Sequence, residues 1–194
     1  MGSRLDLLTD PDTSLVADAS AVINLIATQY AARIIAALPS RLVVVDAVVS
    51  ELESGRSRGR TNADALSELT AAGLVEIVQL GDAAMQHFEQ LIEGPAVMTL
   101  DDGEAATIGY CVAHGGIAII DERKASRICG QRFPELRIGC TVGILAHPAV
   151  QRGLGDAGLA EAVFNALLDG RMRVFPNWVE WVVTLIGEER PAMC

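Results

Sequence analysis

Residues 15–25 read LVADASAVINL, an apolar run that stops on an aspartate and resumes in a different rhythm. LVADA (15–19) has the unbroken apolar character of a buried strand, with Asp18 near its close. From Ser20 the pattern changes. In SAVINLIATQYAARIIAAL, the residues Val22, Ile26 and Ile34 recur at helical spacing, and this predicts one helix running to the stop at Pro39. A buried strand that runs straight into a helix is the building unit of a parallel sheet.

The same alternation continues along the chain. RLVVVD (41–46) is a β-branched second strand, and AVVSELESG a short helix ended by Gly55. Asn62 is placed to cap a helix of about 63–72 closed by Gly73, and LVEIVQL (74–80) alternates as a third strand. Asp82 opens a helix to about Leu91, and LDDGEAATIGYCVAHGG supplies another over about 102–114. IAII (117–120) is a fourth strand, ERKASRICGQRF a helix, and LRIG a short fifth strand. Beyond Thr141 the pattern is helical through VGILAHPAV, AGLAEAVFNALLDG and NWVEWVVTLIG.

This pattern predicts a three-layer α/β/α fold with a central, mostly parallel sheet and a helical C-terminal extension. Its expected divisions are a polar N-terminal segment (1–14), the α/β domain (15–140), helices packed on that domain (141–187) and a frayed tail (188–194).

At 194 residues the chain is long enough for one domain that buries roughly 70% of its unfolded surface. No apolar stretch approaches the ~20 residues that cross a bilayer, and MGSRLDLLTDPDTS is polar and acidic rather than a secretory signal. Asp6 replaces the Ser or Thr that a myristoylation motif needs. A soluble, cytoplasmic protein without membrane attachment is expected. Cys111, Cys129, Cys140 and Cys194 form no CxxC pair, and His87, His114 and His147 lack metal-ligand spacing. Free thiols are therefore expected, and zinc or Cys/His catalysis is disfavoured.

Four carboxylates stand at the ends of strands or on helices: Asp18, Glu51, Glu104 and Asp121. In a 3-2-1-4-5 sheet the first and fourth strands are neighbours at the reversal of strand order, where ligands bind beyond the carboxyl ends. Asp18 and Asp121 then face one crevice, with Glu51 and Glu104 entering from helices beside it. Converging carboxylates need a cation or a proton to offset their repulsion, and an oxygen-only set suits Mg²⁺ or Mn²⁺. Each acid also has a plainer explanation. Asp18 could cap its helix, Glu51 could be solvated, and Asp101-Asp102-Gly103-Glu104 resembles a capping box. Asp121 could be a turn residue. Asp46, Asp101, Asp102 and Glu122 read as caps or solvated groups.

The net charge of −10 argues against a nucleic-acid partner, although a metal site would neutralise part of it. The basic residues follow the acids: Arg56, Arg58 and Arg60 in SGRSRGR, then Arg123, Lys124, Arg127, Arg132 and Arg137. They are either solvated surface or contacts to phosphate.

Taken in order, VADASAVINL, VVSEL, DDGEAATIGYC and IIDERKASRIC resemble the acidic motifs of the PIN-domain family, metal-dependent nucleases that include toxins of toxin–antitoxin pairs. The resemblance runs from about Leu15 past Thr141, where GCTVGILAHPAVQRGL is similar to a GT-G-I-L-type segment of a PIN subgroup. It implies a PIN-like fold and hydrolysis of single-stranded RNA, with a metal-bound water attacking phosphorus to leave a 5′-phosphate. By the same resemblance Asp18, Glu104 and Asp121 are metal ligands, Glu51 completes the catalytic acids, and Ser20 supports the site. Arg56, Arg58, Arg60, Arg123, Lys124 and Arg127 are candidates for contact with RNA phosphate. The implied partners are an RNA substrate and a small antitoxin. The alternative is a PIN-like scaffold that binds without cutting.

Gly153-x-Gly155-x-x-Gly158 matches a dinucleotide fingerprint literally, but it follows HPAVQR rather than a strand and reads as a junction of two helices. A haloacid-type phosphatase needs an acid where Ser20 stands, and a receiver domain needs an acceptor aspartate that LVEIVQL lacks. Trp178, Trp181, Val182 and Leu185 form an apolar stripe that either packs on the core or meets a partner, with a homo-dimer expected.

Overall fold

The computed structural model describes residue 10 and residues 12–56 and 61–187. Five strands form one parallel sheet: β1 (Leu15–Ala17), β2 (Leu42–Val45), β3 (Val75–Val78), β4 (Ile117–Ile119) and β5 (Arg137–Gly139). Their order is β3-β2-β1-β4-β5, so the chain reverses direction across the sheet between β1 and β4. This is the three-layer α/β/α architecture that the sequence predicts, including its strand order.

Alternation along each strand builds the two outer layers. Leu15, Ala17, Leu42, Val44, Ile117 and Ile119 point to one face, while Val16, Val43, Val45, Ala118 and Ile120 point to the other. The first face is covered by α1 (Ala19–Ala27), α2 (Ala31–Ala37), α3 (Asp46–Arg56) and α4 (Asn62–Ala71), together with the C-terminal helices. The second is covered by α5 (Gly81–Ile92), α6 (Asp102–His114) and α7 (Arg123–Arg132). Each fully buried Leu, Ile or Val contributes about 1.5–3 kcal/mol, so this double burial is what keeps such short strands paired.

The C-terminal helices are α8 (Thr141–Leu145), α9 (Pro148–Leu168) and α10 (Val179–Ile186), the last preceded by a 3-10 turn over Pro176–Trp178. They share the core of the first face: Ile144, Val163 and Val182 lie in one apolar cluster with Leu15. Trp178, Trp181 and Leu185 are partly buried against that cluster, so the stripe packs inward. Gly155, at φ 70°, breaks α9, and the glycine-rich stretch is a kink between two helical segments.

Four local expectations need correction. The single helix from Ser20 towards Pro39 is two helices, because Thr28 diverts the backbone. Its hydroxyl donates to Leu25 O at 2.5 Å and accepts from Tyr30 N–H at 3.0 Å, and Gln29 turns with φ 63°. Asn62 is the first residue of α4 rather than its cap; Thr61 holds that position without a side-chain bond. The first two strands are also shorter than read, with Asp18 just beyond β1. Finally, α3 begins at Asp46 and runs through Gly55 to Arg56, which places Glu51 in its second turn.

Among the described residues no single helix is long and apolar enough to cross a membrane, and the pair α1 and α2 is bent by 112°. Cys111, Cys129 and Cys140 are free and buried, as expected, and Cys194 lies outside the described residues.

Candidate functional site

Asp18 and Asp121 follow adjacent strands at the same end of the sheet. Ala17 stands opposite Ile119, and the Asp18 N–H donates to Ile119 O at 3.2 Å. Both side chains are enclosed, at 1% and 4% exposure. A buried carboxylate costs several kcal/mol unless partners meet it. The two aspartates meet that cost differently.

One oxygen of Asp18 accepts the Ala21 N–H at 2.7 Å, which caps α1. The other, Oδ2, is buried with no hydrogen-bond partner. Burial holds this carboxyl well above the usual range, and the charge of Asp121 adds to the effect. Glu104 and Glu51 push the same way, while the Ala21 N–H opposes them. The plain explanation of Asp18 as a cap is therefore true for one oxygen only.

Asp121 takes the Thr141 N–H on Oδ1 at 2.8 Å. Its Oδ2 accepts the Thr141 hydroxyl at 2.6 Å and the Asn24 amide at 2.6 Å. Burial raises its pKa, and these three bonds pull the other way. Asn24 comes from α1 and Thr141 begins α8, so Asp121 is clamped from both flanks.

Glu104 sits in the first turn of α6 and accepts the Asp101 backbone N–H, one half of a capping box. The other half is missing, because the Asp101 side chain makes no capping bond. Burial, followed by the charges of Asp101 and Glu122, pushes Glu104 up to about 7; the Asp101 N–H and Lys124 oppose the rise. Lys124 is the chain's one lysine.

Glu51 is exposed along much of its side chain, yet its carboxyl turns inward against α6. Burial raises its pKa first, and Asp101 and Asp102 raise it further. An open cavity of about 600 Å³ begins at Glu51, Asp101 and Asp102 and passes over Phe88 and Leu100.

All four expected acids thus face one region at the reversal of strand order. Ser20 lies exposed in the first turn of α1. Among the described residues, no three His, Cys, Asp or Glu side chains are gathered closely enough to hold a metal ion as they stand.

The basic candidates are dispersed. Arg56 pairs with Asp64, and Arg127 donates to Val97 O at 3.2 Å. Arg123 is exposed at the start of α7, and Arg58 and Arg60 lie outside the described residues. Arg132 bonds Gln90 O, Arg137 bonds the Thr13 hydroxyl, and Glu122 is held by Arg173 at 2.7 Å.

Sequence reading missed Asn24, Thr141 and the part played by Asp101. Asn24 lies six positions after Asp18 inside an apolar helix, where an amide needs a partner, and that was its available signal. Thr141 opens α8, two residues past the end of the fifth strand. Asp101 reads as a cap or a solvated group, and the sequence does not show that its charge raises both Glu51 and Glu104.

A parallel sheet in this order, with carboxylates at its reversal, defines an α/β/α protein whose ligand-binding end is acidic. A family model described as PIN domain matches residues 14–188, and the chain belongs to the PIN-domain family. PIN domains are generally nucleases and typically use divalent metals. No curated protein and no solved structure matches the chain.

Proposed function

We propose that this chain is a Mg²⁺- or Mn²⁺-dependent endoribonuclease acting on single-stranded RNA. The observation that carries the reading is Asp18 Oδ2, a buried acceptor without a partner and surrounded by the charges of Asp121, Glu104 and Glu51. A cation satisfies that oxygen and removes the repulsion together, so the donor set fits a hard divalent ion. Asp18, Glu104 and Asp121 are the proposed ligands, and Glu51 completes the pocket. When bound, the ion supplies the Lewis acidity and positive charge needed for phosphodiester hydrolysis.

The chain's own residues do the positioning. Thr141 and Asn24 fix the Asp121 carboxylate in one orientation. Glu104, pushed up to about 7, would hold the cation once it has lost its proton, which it does near neutral pH. Arg123 and Lys124, at the start of α7, are the candidates assigned to RNA phosphates, with Ser20 in the first turn of α1. A small antitoxin partner, a homo-dimer and a cytoplasmic setting belong to the same proposal.

Purified protein is expected to cut single-stranded RNA with added Mn²⁺ and to lose that activity with EDTA or in Asp18→Asn. Cleavage that survives both treatments overturns the mechanism. The second reading, a scaffold that binds without cutting, draws on the acids' standing too far apart to hold an ion as they are.

A further inference from the structure

We propose that Gly103 is a positioning residue whose missing side chain seats the Glu51 carboxylate over the first turn of α6. The inference rests on the metal site proposed above and adds a residue to it.

Gly103 is the second residue of α6, where its backbone is helical and requires no glycine. Glycine is among the poorest helix formers, so its place here calls for a steric reason. That reason is specific. A methyl at this position would overlap Glu51 Oε2, while its next neighbour on another side chain, Val48 Cγ2, would be at an ordinary 3.5 Å. No backbone atom is among the three nearest. The space above Gly103 is therefore filled by one charged group.

Glu51 lies there despite repulsion from Asp101 and Asp102. The amino end of a 13-residue helix carries partial positive charge and offsets part of that repulsion at close range. A methyl removes the close range. Because Glu51 is flexible and reaches α6 from a largely exposed stem, it would swing outward and leave both helices in place. An alanine at residue 103 thus keeps the fold and empties one corner of the acidic pocket.

The test compares Gly103→Ala with the wild type by thermal melting without metal and by Mn²⁺ calorimetry. The melting temperature is expected to be unchanged or higher, since the helix gains a better former and the acids separate. Mn²⁺ binding is expected to weaken about tenfold, within the range typical of groups that orient metal ligands. Gly103→Ala in a Glu51→Gln background should then add little further loss, because the displaced group is already neutral.

Equal Mn²⁺ affinity in Gly103→Ala and wild type overturns the proposal, as does a full additional loss in the Glu51→Gln background. A lower melting temperature also overturns it, because the methyl would then be striking the fold and not the carboxylate. Failure of the wild type itself to bind Mn²⁺ refutes the metal-site reading on which the proposal rests. The two failures are thus distinguishable.

Discussion

The ends of β1 and β4 lie side by side, and each buries an aspartate beyond the reach of water. At the end of β4, Asp121 is met by three hydrogen bonds from Thr141 and Asn24. At the end of β1, Asp18 has one bond, from Ala21, and an oxygen left alone. Equal burial with unequal satisfaction separates two tasks. Asp121 is held in place by the protein, whereas Asp18 is held open. A fold retains a buried, unpartnered acceptor among like charges at a cost in stability, and such costs concentrate at functional sites.

That contrast is sharpest in substitutions of opposite sign. Asp18→Asn keeps an oxygen for the Ala21 N–H and removes the charge that nothing meets. It is expected to abolish cleavage and to raise the melting temperature of the metal-free protein. A fall in melting temperature would mean that Asp18 is a structural acid like its neighbour. Thr141→Val preserves shape and the backbone N–H but removes a buried bond to a charged group. It is expected to lower stability by about 1.5–3 kcal/mol, measured by denaturant melting. No loss there would mean that Asp121 is not clamped.

A smaller effect follows from pH. Glu104 is pushed up to about 7 from an ordinary value of 4.5, so between those values the folded chain binds more protons than the unfolded one. Stability contributed by the proton is present below about 4.5 and lost as pH rises through 7. Asp18, Glu51 and Asp121 are raised in the same direction. Metal-free protein should therefore melt at a lower temperature at pH 8 than at pH 5.5. Saturating Mn²⁺ should narrow or reverse that difference, because ligation requires deprotonated carboxylates. A metal-free melting temperature that rises over this interval contradicts the arrangement of acids.

The sheet and its acids were legible because they are written in strong local patterns. β1, β2 and β4 are apolar runs, Asp18 and Asp121 stand just past the ends of β1 and β4, and strand–helix alternation implies a parallel sheet. What stayed hidden depends on contacts between distant residues. Asn24 meets Asp121 across 97 positions and Thr141 meets it across 20, and no local pattern encodes either pairing. The break between α1 and α2 escaped for a similar reason: the apolar period continues through Thr28 while its hydroxyl redirects the backbone. Asp101 stands exposed at the cap position, in keeping with a cap or a solvated group, and only its side-chain placement shows that the box is half made. The capping half that does form also orients Glu104.

Whether Asp18, Glu51, Glu104 and Asp121 form one site for a divalent cation is decided by Mn²⁺ calorimetry on wild type and Asp18→Asn at pH 8. Saturable binding to the wild type, accompanied by proton release, is expected, and its loss in Asp18→Asn. Absence of binding to the wild type at millimolar Mn²⁺, or equal binding by both proteins, would contradict it.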